Sequence, residues 1–226
     1  MAIDYAWLEE TVRKRFASTQ AQEAYLPKAK TEAQLVAVTD AHYLSLMSRR
    51  VFQAGMTHSV VDARWPAFEE ALWGFDADKM VLLSAEQIEK FASDSLLIRH
   101  LTKMRTIPQN AQLMLDVRRE YGSFGRFLAD WPVEDIVGLW RFLAKRGARL
   151  GGNSAASFLR MAGKDTFRLS DDVVARLVAS GIVNSKPTSR ADLALVQAEF
   201  NRLHQLSGRP LCQLSALLAL TINPRF

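Results

Sequence analysis

Residues 146–176 read RGARLGGNSAASFLRMAGKDTFRLSDDVVAR. A basic turn with paired glycines, Gly151-Gly152, opens an apolar helix. After a short connector, two adjacent carboxylates, Asp171 and Asp172, start another. Paired glycines let the backbone turn tightly and come close to a ligand. The helix that follows begins with free N–H groups and the positive end of its dipole, which suits a phosphate. An acid placed just beyond such a turn is positioned for chemistry on a nucleic acid.

The cations before the turn extend this reading. Lys145, Arg146 and Arg149 precede Gly151, Gly152, Asn153 and Ser154, and these seven are the candidate phosphate ligands. Arg141 and Lys145 lie four apart and share a helix face. Contacts of this kind position a protein on any duplex and carry no sequence information. The same residues also fit a plain helix end, where cations complement the dipole and a glycine caps the turn. Asp171 and Asp172 equally fit first-turn acids favoured by the dipole.

Around this stretch the pattern is helical nearly throughout, and no alternating strand pattern of convincing length occurs. Trp7, Leu8, Val12 and Phe16 repeat at helix spacing, and Leu35 to Ala54 reads as one helix. Val60, Val61, Arg64, Trp65, Phe68, Leu72 and Trp73 follow a buried stripe. Ser84 to Gln87 is a capping box. Leu96 to Tyr121 reads as a long helical region that Pro108 kinks or divides. Pro132 fits the first turn of a helix reaching Lys145. Ser170 caps the helix that stops at Gly181, Asn184 to Ser189 is a loop, and Ser189–Gln205 and Leu211–Ile222 are the last helices. The expected fold class is all-α.

Composition sets looser bounds. Of the 226 residues 49% are hydrophobic, enough to build a core, and the net charge of +5 permits nucleic-acid binding without requiring it. A lone cysteine, Cys212, rules out an internal disulfide. No apolar run reaches the length of a membrane span or a signal core. The expectation is a cytoplasmic, nucleoid-associated chain, monomeric, with no membrane partner.

Two further blocks accompany the hairpin: Phe52-Gln53-Ala54-Gly55-Met56-Thr57, followed by a Trp/Phe-rich helix and GFDADKM (Gly74 to Met80), and IRHLTKMRTIPQNA (Ile98 to Ala111). Together the three blocks, in this order over roughly residues 40–180, resemble the helix-hairpin-helix DNA glycosylase superfamily, and within it most nearly the 3-methyladenine DNA glycosylase I family. The resemblance implies a two-lobed helical fold, with a helix-hairpin-helix lobe over about residues 95–180 and a second lobe from about 1–94 plus 181–226. It also implies duplex DNA containing a damaged base as partner, and hydrolytic removal of a flipped alkylated purine such as 3-methyladenine as activity. No cofactor is implied.

The resemblance assigns roles residue by residue. Most relatives use one Asp at the start of the helix after the hairpin; Asp171, with Val174 and Arg176 following, fits that position, and Asp172 is one residue out of register. A carboxylate there would stabilise the cationic sugar and orient water. Phe52, Gln53, His58, Trp65 and Tyr43 are the candidate base pocket, as stacking surfaces and polar readers. Four departures stand out. Arg149 takes the position of the hairpin's first glycine, Arg50 that of the family's pocket glutamate, His58 that of its pocket tryptophan, and its zinc ligands are absent, so no metal is expected. No Schiff-base lysine follows the hairpin, so lyase activity is not expected. Arg50 also keeps open a non-catalytic DNA-binding relative, and composition alone leaves open an all-α scaffold that binds protein.

Overall fold

The computed structural model describes residues 2–223. Among them the secondary structure is helical throughout, with no strand. The all-α expectation holds.

The chain forms two compact units. The first contains residues 1–30, 132–139 and 163–226, and the second residues 31–131 and 140–162. The hairpin segment 146–162 therefore belongs with the segment from residue 31 onward, and Asp171 and Asp172 belong to the other unit. This corrects the lobes drawn from sequence, which grouped residues 95–180 together and gave residues 31–94 to the second lobe. The physical reason is packing at long range. Helix Asp40–Gln53 packs on both Thr106–Tyr121 and Asn153–Ala162, while helix Tyr5–Arg13 packs on Arg190–Ser207 and Leu211–Leu220.

In the first unit, Asp4 starts the first helix by accepting from the N–H groups of Ala6 and Trp7. Asp165 does the same for a later one, its two oxygens taking the N–H groups of Leu211 (2.9 Å) and Cys212 (2.8 Å). Helix Leu211–Leu220 is apolar on nearly every side and is correspondingly buried. Phe167 stacks on Phe200 at 4.1 Å. Arg209 gathers Glu9 (2.9 Å), Glu23 (2.6 Å) and the Tyr5 hydroxyl (3.0 Å), tying chain segments about 200 positions apart. Ser170 Oγ accepts from Val173 N and begins helix Asp171–Ala179 where the sequence placed it.

The second unit is built around helix Asp40–Gln53. The sequence suggested one helix over 35–54; two form instead, Glu32–Val36 and Asp40–Gln53. Thr39 breaks the run, because its hydroxyl accepts from His42 N and caps a new start. Pro108 likewise does not divide a long helix. It sits in the first turn of Thr106–Tyr121, where its missing N–H costs nothing, and residues 96–100 are outside any helix. The stripe in helix His58–Ala71 buries Val61, Trp65 and Phe68, but Val60 and Trp73 are about half exposed, at 50% and 48%. Trp73 falls in a left-handed turn with Gly74 and Phe75 (φ 48°, 63° and 60°), which swings its ring outward. Phe75, fully buried and stacked on Trp65 at 5.5 Å, holds that turn in place.

Tyr43 lies in this core. It is fully buried, its hydroxyl donates to the Leu35 carbonyl (2.8 Å), and its ring meets Phe124 at 5.4 Å. Burial, aided by the charge of Asp40, pushes its hydroxyl from 10.0 up to about 12. A tyrosine whose folded value is raised contributes stability in full below its unfolded value and loses it as pH rises through the folded one. Stability should therefore fall as pH climbs from about 10 towards 12, by up to roughly 2 kcal/mol from this residue. Tyr43→Phe should flatten that fall, while costing about 1 kcal/mol at neutral pH for the lost hydrogen bond. Urea midpoints of both proteins on either side of the alkaline transition check this.

Candidate nucleic-acid interface

The hairpin begins where helix Ile136–Arg146 ends. Gly147 N donates to Leu143 O (2.8 Å), and a Cβ at Gly147 would come within 2.5 Å of Leu150 Cδ1 and 2.9 Å of Leu143 O. Leu150 is fully buried and anchors the turn. Between them Arg149 adopts the left-handed conformation at φ 58°, the geometry a glycine would take without strain. Gly152 is left-handed too, at φ 56°. Gly151, Gly152 and Asn153 are exposed, and Ser154 N closes the turn on Gly151 O at 3.1 Å. The turn thus has the built character of a hairpin, beyond what a simple glycine cap requires.

Two residues hold it in place that were not singled out as ligands. Asn110, fully buried on helix Thr106–Tyr121, accepts from Ala148 N (2.7 Å) and donates to Ala148 O (3.3 Å). Lys103, 4% exposed, donates to the carbonyls of Phe52 (2.9 Å) and Ala54 (2.8 Å), closing the C-terminal end of helix Asp40–Gln53. A cation at a helix C-terminus complements the free carbonyls and the dipole. Lys103 sits on the short helix Leu101–Met104, and Asn110 on the helix Thr106–Tyr121 that follows it after Arg105. His100 Nδ1 accepts from Lys103 N and starts the short helix that carries it. The block Ile98–Ala111 is therefore the mount for both the turn after Gln53 and the hairpin. The signal in the sequence was the spacing of Lys103 and Asn110 within one block.

The expected phosphate ligands divide. Lys145, Arg149, Gly151, Gly152 and Asn153 lie at the exposed turn or in the helix end before it, as does Arg141. Arg146 does not point its charge at a ligand. It pairs with Asp116 (3.5 Å) and Glu120 (3.7 Å) and lies over the Phe142 ring at 5.1 Å. Ser154 is buried and turned inward. Arg149→Gly should relieve the left-handed strain, leaving folding stability equal or higher by up to about 1 kcal/mol. The same change should weaken duplex binding through the lost charge. Chemical unfolding and a duplex titration of the one variant test both halves.

The base-pocket expectation needs more correction. Tyr43 and Phe52 are fully buried and Trp65 is 3% exposed. Phe52 meets Trp65 and Phe68, Trp65 stacks on Phe68 and Phe75, and the Trp65 indole N–H donates to Ser45 Oγ at 2.9 Å. These three rings are core: their faces are taken by neighbouring side chains, and they offer no open stacking wall. Gln53 is also buried, its amide donating to Asp62 Oδ1 (2.7 Å), which accepts Arg49 Nε as well (2.8 Å). That guanidinium, with help from Gln53 and the nearby His58, holds the Asp62 carboxyl below its usual range. Of the five candidates only His58, at the start of helix His58–Ala71, is exposed.

Asp171 and Asp172 stand in the first turn of their helix in the first unit, Asp171 exposed and Asp172 half-buried. Neither enters an ion pair among the described residues. No group of three or more His, Cys, Asp and Glu gathers among the described residues to hold a metal. No helix there is long and apolar enough to cross a membrane.

Comparison with solved structures returns glycosylases. The 8-oxoguanine DNA glycosylase of Thermotoga maritima is 15% identical, with a TM-score of 0.54 and 97% of each chain covered. The 8-oxoguanine glycosylase/lyase of Methanocaldococcus jannaschii, solved with a DNA 15mer containing 8-oxoguanine, is 11% identical, with a TM-score of 0.52 over 96% of this chain and 98% of that one. The 3-methyladenine DNA glycosylase I of Staphylococcus aureus is 19% identical, with a TM-score of 0.52 over 81% and 99%. At these identities the likeness is one of fold. No curated protein sequence matches the chain. The family model for methyladenine glycosylase matches residues 32–149, just over half of the chain, taking in the turn after Gln53, its mount, and the approach to the hairpin. The chain belongs to the methyladenine glycosylase family.

Proposed function

We propose that this chain is a monofunctional DNA glycosylase of base excision repair, which flips an alkylated purine such as 3-methyladenine out of duplex DNA and hydrolyses its N-glycosidic bond. The observation that carries the reading is the hairpin: a strained Arg149, a buried Leu150 and an exposed Gly151-Gly152-Asn153 turn, fixed by Asn110 in a chain of this family. Backbone N–H groups of the turn, with Arg149 and Lys145, take phosphates of one strand and set the register. Asp171, or Asp172 beside it, stabilises the positive charge that builds on the sugar and orients the attacking water. His58, the one exposed residue of the five candidates, supplies a polar contact to the base. An alkylated purine that already carries positive charge leaves readily, so modest assistance suffices. No lysine stands where a Schiff base would form, since Ser154 and Ala155 occupy that neighbourhood. Free base should therefore appear from alkylated duplex with strands that break only after alkali. Strand breaks without alkali would contradict the monofunctional assignment.

One observation favours a second reading, a DNA-binding relative without activity. Arg50 occupies the position that the resemblance gives to a pocket glutamate, and a second cation, Lys103, is buried beside the same turn. Tight, salt-sensitive duplex binding with no base release would select it.

A further inference from the structure

Arg15 and Arg176 are two cations that share one acceptor. Arg15, just past the end of helix Tyr5–Arg13, reaches Thr221 O with Nη2 at 3.4 Å. Arg176, in the last turn of helix Asp171–Ala179, reaches the same oxygen with Nη2 at 3.5 Å and gives Nε to Thr221 Oγ1 at 2.7 Å. Thr221 caps the C-terminus of helix Leu211–Leu220, and all three segments belong to the first unit. A helix C-terminus carries only about half a negative charge, so positive charge is left in excess. No acid among the described residues offsets it. Neither arginine enters an ion pair there, Glu9 is held by Arg209 and Glu10 by Lys14, and Asp172, one turn before Arg176, does not pair with it. Arg15 Nη1 is buried with no hydrogen-bond partner. The Arg176 guanidinium lies over the Trp7 ring at 4.8 Å, and Trp7 is still 41% exposed. Stacking on a ring fixes a guanidinium and leaves its edge for an oxyanion. Two unpaired like charges and an unmade buried donor both cost stability, and one anion between the arginines would remove both costs.

We propose that Arg15 and Arg176, with Trp7 as the wall behind Arg176, form an oxyanion site that takes a backbone phosphate of DNA. Because the two guanidiniums already meet at Thr221 O, two oxygens of one phosphate can reach both, in charge-assisted hydrogen bonds. The Thr221 hydroxyl sets the direction of Arg176: it accepts from Nε and donates to Leu218 O at 2.6 Å, so it cannot turn away. Arg176 stands on the helix that begins with Asp171 and Asp172, the acids assigned above to the sugar. The first unit thereby has a backbone contact of its own, separate from the hairpin of the second unit. The DNA source rests on the function proposed above; the oxyanion site does not.

The test uses the full chain and two single variants, Arg15→Gln and Arg176→Gln, with two probes. The first is inorganic phosphate against chloride at matched ionic strength, read as thermal midpoint. Phosphate at ten times its Kd should raise the midpoint of the wild type by about 3–6 °C, and should raise that of either variant much less. The difference between the two salts is the readout, because a purely structural role of either arginine would lower both midpoints and leave the difference unchanged. The second probe is an undamaged 15-base-pair duplex titrated over a range of KCl. Each variant should lower the slope of log K against log salt, by up to about 0.9 for the loss of one phosphate contact. A phosphate shift lost in the variants with an unchanged duplex slope would keep the oxyanion site and overturn its assignment to DNA. A phosphate shift equal in all three proteins would overturn the proposal whole, whatever the slopes. Base release by the same variants reports on the glycosylase reading separately, since neither probe contains a lesion.

Discussion

Asp171→Asn should lower base release from alkylated duplex DNA at least about 100-fold, the low end of what a positioned acid or base contributes, with duplex affinity within about twofold of wild type. The reason lies in the charge of the reaction. As the N-glycosidic bond stretches, positive charge collects on the sugar, and an amide in place of the carboxylate offers the same shape with no charge to meet it. Asp171 is suited to the role because nothing competes for it: it is exposed in the first turn of helix Asp171–Ala179, enters no ion pair among the described residues, and leaves the cap to Ser170. The helix N-terminus favours negative charge in that turn, so the substitution should cost only a few tenths of a kcal/mol in stability. Asp172→Asn is the control. Should the loss of activity fall on Asp172 instead, the acid is still in this turn but its register is the other one. Equal activity in both variants would remove the carboxylate chemistry from the account.

Asn110→Ala should destabilise the protein by about 2–3 kcal/mol and weaken duplex binding roughly tenfold. The two effects have one cause. Asn110 is fully buried, and its side chain makes both hydrogen bonds to Ala148, one to the N–H and one to the carbonyl. Truncation leaves two backbone groups without partners at the base of the hairpin and frees a turn that carries strain at Arg149. Asn110→Asp should fall between the two proteins in stability, since it keeps an acceptor for Ala148 N and loses the donor to Ala148 O. Urea unfolding gives the first quantity and duplex titration the second. An alanine variant that loses stability but binds DNA at full strength would show that the hairpin holds its shape without Asn110.

What the sequence made legible were features with a local cause. Ser170 and Ser84 cap helices where they were placed, because a cap is a bond between neighbours in the chain. Thr39 was missed for the converse reason. It lies inside an apolar run whose period continues across it, and only the bond to His42 N reveals a new start. The division into units was not legible, because it depends on helix Asp40–Gln53 meeting Asn153–Ala162 across more than 100 residues of chain. The hairpin was legible as a basic turn with paired glycines, yet Arg146 was counted as a ligand when Asp116 and Glu120, some 30 residues earlier, claim it. In the base pocket, helical spacing cannot tell an aromatic that lines an opening from one that fills a core. Phe52, Trp65 and Tyr43 are the second kind. Lys103 and Asn110 were visible as letters of one block, but their work consists of bonds to Phe52, Ala54 and Ala148, which no local pattern displays.

Cleavage of an N-glycosidic bond by this chain is measured directly as free base released from methylated duplex DNA by the purified protein under single-turnover conditions. A methylated purine should be released at a rate well above the spontaneous one, leaving an intact strand with an abasic site. Release no faster than without protein, from a duplex the protein is shown to bind, would contradict it.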